Sequence, residues 1–260
     1  MRIYSIYIPV AVLESEYPFR FFSAVTVVQS NDDLMIFDTG FPDGTKLHKQ
    51  LEAFRLDPDR FTWVFNTHVH IDHFGGNHIF KNAKKVVSRR DYLFQKRWSE
   101  ALLKTRNKLA YIERSFPHLP KRDMEKLIDF LIVVQKSHFK EHYLGDPGTL
   151  FWVEDHPPIP EWVRVFRTPG HTPYHLSFLV QGDRGRAIIA GDRVPNRNYF
   201  YTDEKRFIEV DMDRRMARES EQRIKRYAES GPECIIYPSH DRPFFYRTGR
   251  YVQENPYEVL

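Results

Sequence analysis

The stretch Thr62–Asn77, TWVFNTHVHIDHFGGN, constrains this chain more than any other, because it runs an apolar, strand-like segment straight into His68, His70, Asp72 and His73. All four side chains can bind a metal. Alternate residues of an extended segment point the same way, so His68 and His70 can grip one ion while the turn at Asp72 and His73 presents a second pair. Two adjacent divalent ions are the natural reading. Four residues cannot give each ion a full set of protein donors and still leave room for water, so further ligands are needed. The chain offers three, each just after an apolar run, where α/β architectures put their functional loops: His171 in TPGHTP, Asp192 in AGD and His240 in PSHD.

The pattern around these motifs alternates strand and helix. Strands are predicted over Ile3–Ile8, Ser23–Gln29, Leu34–Phe37, Phe61–Phe65 and Lys84–Ser88, with a helix over Lys46–Phe54 whose Leu47, Leu51 and Phe54 fall on one face. After Ser88 the periodicity turns helical for some fifty residues rich in Arg, Lys and aromatics, with Leu127, Phe130, Leu131 and Val134 as its clearest apolar stripe. Bounded by prolines 117, 120 and 147, this block, about residues 89–142, reads as a helical insertion beside a sheet core. Strands resume at Val163–Phe166, His175–Val180 and Ala187–Ala190, followed by a helix over Asp211–Glu229 and a last strand at Cys234–Tyr237. Strand and helix blocks thus recur once in each half, which predicts two similar layers of sheet with helices outside, in one domain spanning residues 1–260.

Composition narrows the function classes. With 41% hydrophobic and 28% charged residues the chain is an ordinary globular protein and not a disordered one. A net charge of +4 from 39 basic and 35 acidic residues is too small an excess to suggest a polyanion-binding surface. No apolar run approaches the length of a membrane span, and MRIYSIYIPVAVL alternates like a strand, without the basic start of a signal peptide. The single cysteine, Cys234, excludes an internal disulfide and fits a reducing cytosol, so a cytoplasmic location is expected.

HVHIDH, Asp38 in DTG, TPGHTPYH, AGD and SHD occur in the order and approximate spacing of the metallo-β-lactamase superfamily, which the chain resembles over nearly its whole length. The resemblance implies an αββα sandwich with a dinuclear site at one sheet edge. It also implies that His68, His70 and His171 hold one metal, Asp72, His73 and His240 the other, and that Asp192 bridges both. Asp38 would orient the histidine loop from behind. The metals would be zinc, with iron, manganese or cobalt compatible with the same donors. DTGFPDG and GHTPYH look most like the N-acyl homoserine lactone lactonase branch, which carries a substrate-contacting tyrosine three residues after the bridging aspartate. This chain has Pro195 there, and Tyr199 and Tyr201 are the residues available to take its place.

The implied activity is a metal-dependent hydrolase that opens a lactone or cleaves a carboxylic ester by metal-bound hydroxide, with Asp72 moving the proton to the leaving alkoxide. Within the same fold, an RNase Z-like phosphodiesterase or ribonuclease and a glyoxalase II-like thioesterase are the alternatives. A non-catalytic or redox diiron protein is a further one, opposed by His70 where the flavodiiron branch has Glu. The expected partner is a small-molecule ester or lactone, not a membrane or a nucleic acid, since Glu100, Glu113, Asp123, Glu125 and Asp129 interrupt the basic helical block. That block is read as a lid or a homodimer contact. His175 is expected to support the site by hydrogen bonding, His48 and His78 to be ordinary helix residues, His138 and His142 to lie on a solvated helix end, and Cys234 to be a small buried hydrophobe.

Overall fold

The computed structural model describes residues 1–9, 22–30, 32–42, 44–121, 124–125, 128, 131–132, 141–182, 185–197, 200, 211–231, 233–247 and 250–252. Six strands form the first sheet in sequential order: β1 (Arg2–Pro9), β2 (Phe22–Gln29), β3 (Leu34–Phe37), β4 (Trp63–Phe65), β5 (Lys84–Val87) and β6 (Leu150–Trp152). The second sheet runs β7 (Val163–Arg167), β8 (Leu176–Gln181), β9 (Arg186–Gly191), β10 (Cys234–Pro238), β11 (Phe244–Arg247) and β12 (Arg250–Val252). Pairing is antiparallel from β1 to β3 and parallel from β3 to β6, whereas in the second sheet only β9 and β10 are parallel.

The central strands are apolar on both faces because each face is covered. In β3, Met35 and Phe37 point to the other sheet while Ile36 points outward, the period-two alternation of a pleated strand. The inner face joins Met35, Phe37, Trp63, Phe65 and Val86 to Phe178, Ile189, Ile235 and Tyr237 across the sandwich. On the outer face of the first sheet, Ile36, Val64 and Val27 receive Leu47 and Leu51 of α1 (Gly44–Ala53). The outer face of the second sheet, with Ile188 and Ile236, receives Ile224 and Ala228 of the C-terminal helix, Arg214–Glu229. The layering is therefore αββα.

Between β4 and β5 lies α2 (Ile71–Phe74), and after β5 come α3 (Arg89–Lys104) and α4 (Lys108–Ser115), which leaves α5 for Arg214–Glu229. Helices α3 and α4 form the expected insertion and carry their own apolar cluster, Trp98, Leu102, Ile112, Phe116 and Leu119. The predicted stripe residues Leu127, Phe130 and Val134 lie outside the described residues.

Several boundaries differ from expectation for local reasons. Pro58–Arg60 forms a 3-10 turn, so β4 starts at Trp63, and Phe61 instead packs edge-on against Phe80 with ring centroids 4.9 Å apart. Helix α5 starts at Arg214 and not Asp211, because the Asp213 side chain caps it by accepting from the Met216 amide at 2.9 Å. Cys234–Pro238 is not the last strand: the aromatic hairpin β11–β12 follows it, and β6, only three residues long, also escaped the periodicity reading. Cys234 is buried, and burial pushes its thiol up to about 12, the setting of an inert structural cysteine.

Phe178 sits between the sheets, edge-on to both Phe37 and Phe65 with centroids 5.2 and 5.4 Å away. Phe178→Ala is expected to cost about 3–5 kcal/mol through lost burial and the cavity left behind, read as a lowered urea midpoint with an unchanged slope.

Candidate metal centre

The site is assembled where the C-terminal ends of β3, β4, β7, β9 and β10 meet. Asp38 directly follows β3 in a left-handed conformation (φ 58°), and its carboxylate turns back over the neighbouring strand end. Its Oδ1 accepts from the Thr67 amide at 2.8 Å, and its Oδ2 from the Thr67 hydroxyl at 2.9 Å; that same Oδ2 lies 2.9 Å from His73 Nδ1. One residue thus fixes the start of the histidine loop and the ring of its last histidine. His70 stands at the N-cap of the short helix α2, which puts Asp72 and His73 in its single turn, with the His73 ring 4.1 Å from that of His68. The loop's far end is held by His73 O, which accepts from the Thr39 amide at 2.7 Å and from Asn66 Nδ2 at 3.0 Å.

The second sheet delivers the remaining residues. His171 stands in the turn before β8, Asp192 immediately after β9, and His240 after β10. Gly191 takes φ 54°, and a Cβ there would lie 2.7 Å from Thr67 Cβ and 2.8 Å from His175 Nε2, so only glycine lets β9 end against the histidine loop.

Two groups of metal-competent side chains result, His68, His70, His171 and Asp192 in one and Asp72, His73 and His240 in the other, with ligand atoms inside each group within 4.8 Å of one another. Asp192 stands between them. Its Oδ2 is 3.2 Å from His171 Nε2 and 4.0 Å from His68 Nε2, whereas its Oδ1 is 3.1 Å from His73 Nε2 and 3.2 Å from His240 Nε2. Asp72 Oδ2 lies 3.4 Å from His73 Nε2 and 3.9 Å from His240 Nε2. His68 Nε2 is buried with no hydrogen-bond partner, and His171 Nε2 faces His70 Nδ1 at 2.9 Å. Nitrogen lone pairs and carboxylate oxygens pointing inward at one another are what a pair of divalent cations would satisfy, so the donor set fits.

The electrostatics divide along the same line. Burial, helped by His73 and His70, pushes His68 well below the usual imidazole range, and burial also lowers His171, so both are neutral donors at pH 7. Burial opposes charge on His73 and His240 too, but Asp192 and Asp72 outweigh it and lift both. Asp192 and Asp72 are held below the carboxylate range against the pull of burial, chiefly by His73 and, less, by His240. Side-chain exposures of 16% for Asp72, 14% for His240 and 12% for Asp192, against 0% for His68 and 1% for His73, mark the side of the centre that faces solvent.

All seven residues singled out as candidate ligands therefore converge, and Asp38 stands behind His73. His175 is buried beside them, its Nδ1 2.9 Å from Thr168 Oγ1 and its ring 5.0 Å from that of His68. Tyr199, Tyr201 and His138 lie outside the described residues. His142 is exposed and packs against His78 and Tyr143. Sequence reasoning missed Thr67, Arg193, Asp211 and Asp91. Asp91 is fully buried on the first turn of α3, where its Oδ2 accepts from the Val69 amide, between His68 and His70, at 2.9 Å. An acidic residue three after the capping Ser88 reads in sequence as a helix-dipole complement, which hides this second use.

Residues 18–240 match the metallo-beta-lactamase superfamily, and the chain belongs to it. Its class is that of metal-dependent hydrolases. Among relatives, the N-acyl homoserine lactonase AiiA of Bacillus thuringiensis subsp. kurstaki is 25% identical over 215 residues, covering 79% of this chain and 70% of the lactonase. Glyoxylase B2 of Dictyostelium discoideum is 26% identical over 162 residues, 59% of this chain and 41% of that protein. The solved structure of AidC, a dizinc quorum-quenching lactonase in complex with a product, superposes with a TM-score of 0.64 at 18% identity over 90% of this chain and 80% of that one, and supports the fold.

Burial pushes the Asp91 carboxyl up to about 6 against the hydrogen bonds that favour its ionised form. A carboxyl raised on folding stabilises the native state below its unfolded value near 4, and that contribution is lost as pH rises through 6. Relative to Asp91→Asn, the wild type is therefore expected to lose about 2–3 kcal/mol between pH 4 and pH 7, measured as the difference between the two proteins' unfolding free energies.

Proposed function

We propose that this chain is a dinuclear metal-dependent hydrolase, loaded with zinc or another divalent ion, that opens lactones or cleaves carboxylic esters in the cytoplasm. The observation that carries it is Asp192, whose two oxygens each face separate histidine nitrogens at 3.1–3.2 Å, a spacing at which the oxygen and the nitrogens could hold a cation together. Relatives named as lactonases support the bond type. Among the described residues no helix is long and apolar enough to cross a membrane.

Two divalent cations bound there would supply Lewis acidity toward a carbonyl oxygen and lower the pKa of water toward about 7. His68, His70 and His171 would hold one, Asp72, His73 and His240 the other, with Asp192 shared. Asp38, by accepting a hydrogen bond from Nδ1–H, keeps His73 in the orientation in which Nε2 faces the centre. Hydrolysis adds the hydroxyl of a water to the acyl carbon, breaks the ring C–O bond, and returns the water's other proton to the departing alkoxide. Asp72, ionised and on the exposed side, is the residue that carries that proton. An apolar cavity of about 230 Å³, walled by Phe94 and Trp98 of α3, Met212, Met216 and Pro173, opens beside the His171 turn and suits a substrate with an apolar arm. The insertion then acts as part of the substrate wall.

A panel of γ- and δ-lactones with short and long acyl substituents, offered to protein loaded separately with zinc, manganese, cobalt or iron, tests the reading. Metal-dependent turnover is expected, reduced by roughly 10²-fold or more in Asp72→Asn. Bound metal without turnover of any lactone would overturn the lactone assignment and bring thioesters and phosphodiesters forward.

A further inference from the structure

Arg193 is the residue directly after Asp192, and it is fully buried. A buried guanidinium is costly unless paired and hydrogen-bonded. Its partner is the equally buried Asp211, bound through both arms, Nη1 to Oδ1 at 2.9 Å and Nη2 to Oδ2 at 3.0 Å. Asp211 Oδ1 is also 3.8 Å from His171 Nδ1, on the face of the ring opposite the metal-facing Nε2. The segment that carries Asp211 is fastened to the His171 turn by the main chain: the Asp213 amide donates to Gly170 O at 2.9 Å and the Met212 amide to His171 O at 3.4 Å. Ser220 Oγ of α5 adds a bond to Pro169 O at 2.7 Å. Gly170, at φ 139°, lies so close that a Cβ would meet Ala217 Cα at 2.4 Å.

We propose that Arg193 and Asp211 are a positioning pair for His171: the guanidinium fixes the Asp211 carboxylate behind the imidazole, which sets the ring's orientation and its strength as a donor to a cation at the centre. The inference rests on the metal-site reading above. The arrangement parallels Asp38 behind His73, with Asp38 at 2.9 Å from its histidine Nδ1 and Asp211 at 3.8 Å from its own. The two differ in their counter-charge. Asp38 is held by the neutral Thr67 amide and hydroxyl, whereas Asp211 is held by a cation. Asp211 places a negative charge 3.8 Å behind the His171 ring, and the Arg193 guanidinium bound to it offsets that charge. Removing only the charge of Asp211 leaves Arg193 uncompensated beside His171, which weakens a cation's hold on that position.

The test uses metal-free wild type, Asp211→Asn, Arg193→Lys and His171→Ala, with zinc affinity from chelator competition, the visible spectrum of the cobalt-loaded proteins, and melting of the metal-free ones. Asp211→Asn is expected to bind one of two zinc equivalents roughly 10–100-fold more weakly and to shift the cobalt bands, with a lowered metal-free melting point because the buried Arg193 loses the carboxylate that answers its charge. Arg193→Lys, which keeps the charge but loses the two-armed grip on Asp211, is expected to shift the cobalt bands while weakening zinc binding less than Asp211→Asn. Should Asp211→Asn not fold, Asp211→Glu retains the charge but moves the carboxylate, and an altered cobalt spectrum is again expected. Wild-type affinity and spectrum in a folded Asp211 variant would overturn the proposal, and so would a loss of affinity accompanied by the wild-type cobalt spectrum. No metal uptake by wild type, or unchanged uptake by His171→Ala, would instead strike the metal-site reading itself, a result distinguishable from failure of the pair alone.

Discussion

The end of β9 meets the histidine loop at one close contact, Gly191 against Thr67, and the centre depends on it. Thr67 is the first residue of the histidine run to be held in place, by both oxygens of Asp38, and Gly191 immediately precedes Asp192. With any Cβ at position 191 the second sheet would have to withdraw from His175 and Thr67, and Asp192 would no longer stand between two groups of histidines. A carboxylate whose two oxygens serve opposite sides has little tolerance for such a shift, since ligand distances hold within a few tenths of an ångström.

Around that contact the charges are arranged in layers. The innermost nitrogens, on His68 and His171, are neutral because burial makes their charged form costly, and this is the state in which imidazole binds a cation. Behind them stand carboxylates that do not face the centre: Asp38 at His73, Asp91 at the Val69 amide, and Asp211 beyond His171. Each comes from a different element, the ends of β3 and the starts of α3 and α5. The insertion therefore does more than cover the sandwich, because its first turn supplies a buried acceptor to the loop that carries His68 and His70.

Most of the site was legible because its residues follow strands. A functional loop at a strand end keeps its place in the sequence pattern, so HVHIDH, TPGHTP, AGD and SHD could each be read locally and combined. The central strands were legible for a related reason, as Leu34–Phe37 and Ala187–Ala190 are apolar throughout when both faces are covered. What stayed hidden lacked a local signal. Asp91 and Asp213 look alike in sequence, acids in or before the first turn of a helix, yet one is a cap and the other holds a histidine loop from the neighbouring strand. Strands β11 and β12 were missed because short aromatic runs carry too few periods to separate strand from loop.

The sequence by itself pointed to the fold class and the seven candidate ligands through residue type, order and spacing along the chain, and to Asp38 through the family resemblance. Only the tertiary structure decided how they divide: that Oδ1 and Oδ2 of Asp192 face different histidines, and that a buried guanidinium one residue later is answered by Asp211. Chemistry of a side chain travels with its position in sequence. Which of its faces meets a partner eighteen or more than a hundred residues away depends on how two sheets and their helices pack, and no local pattern records that.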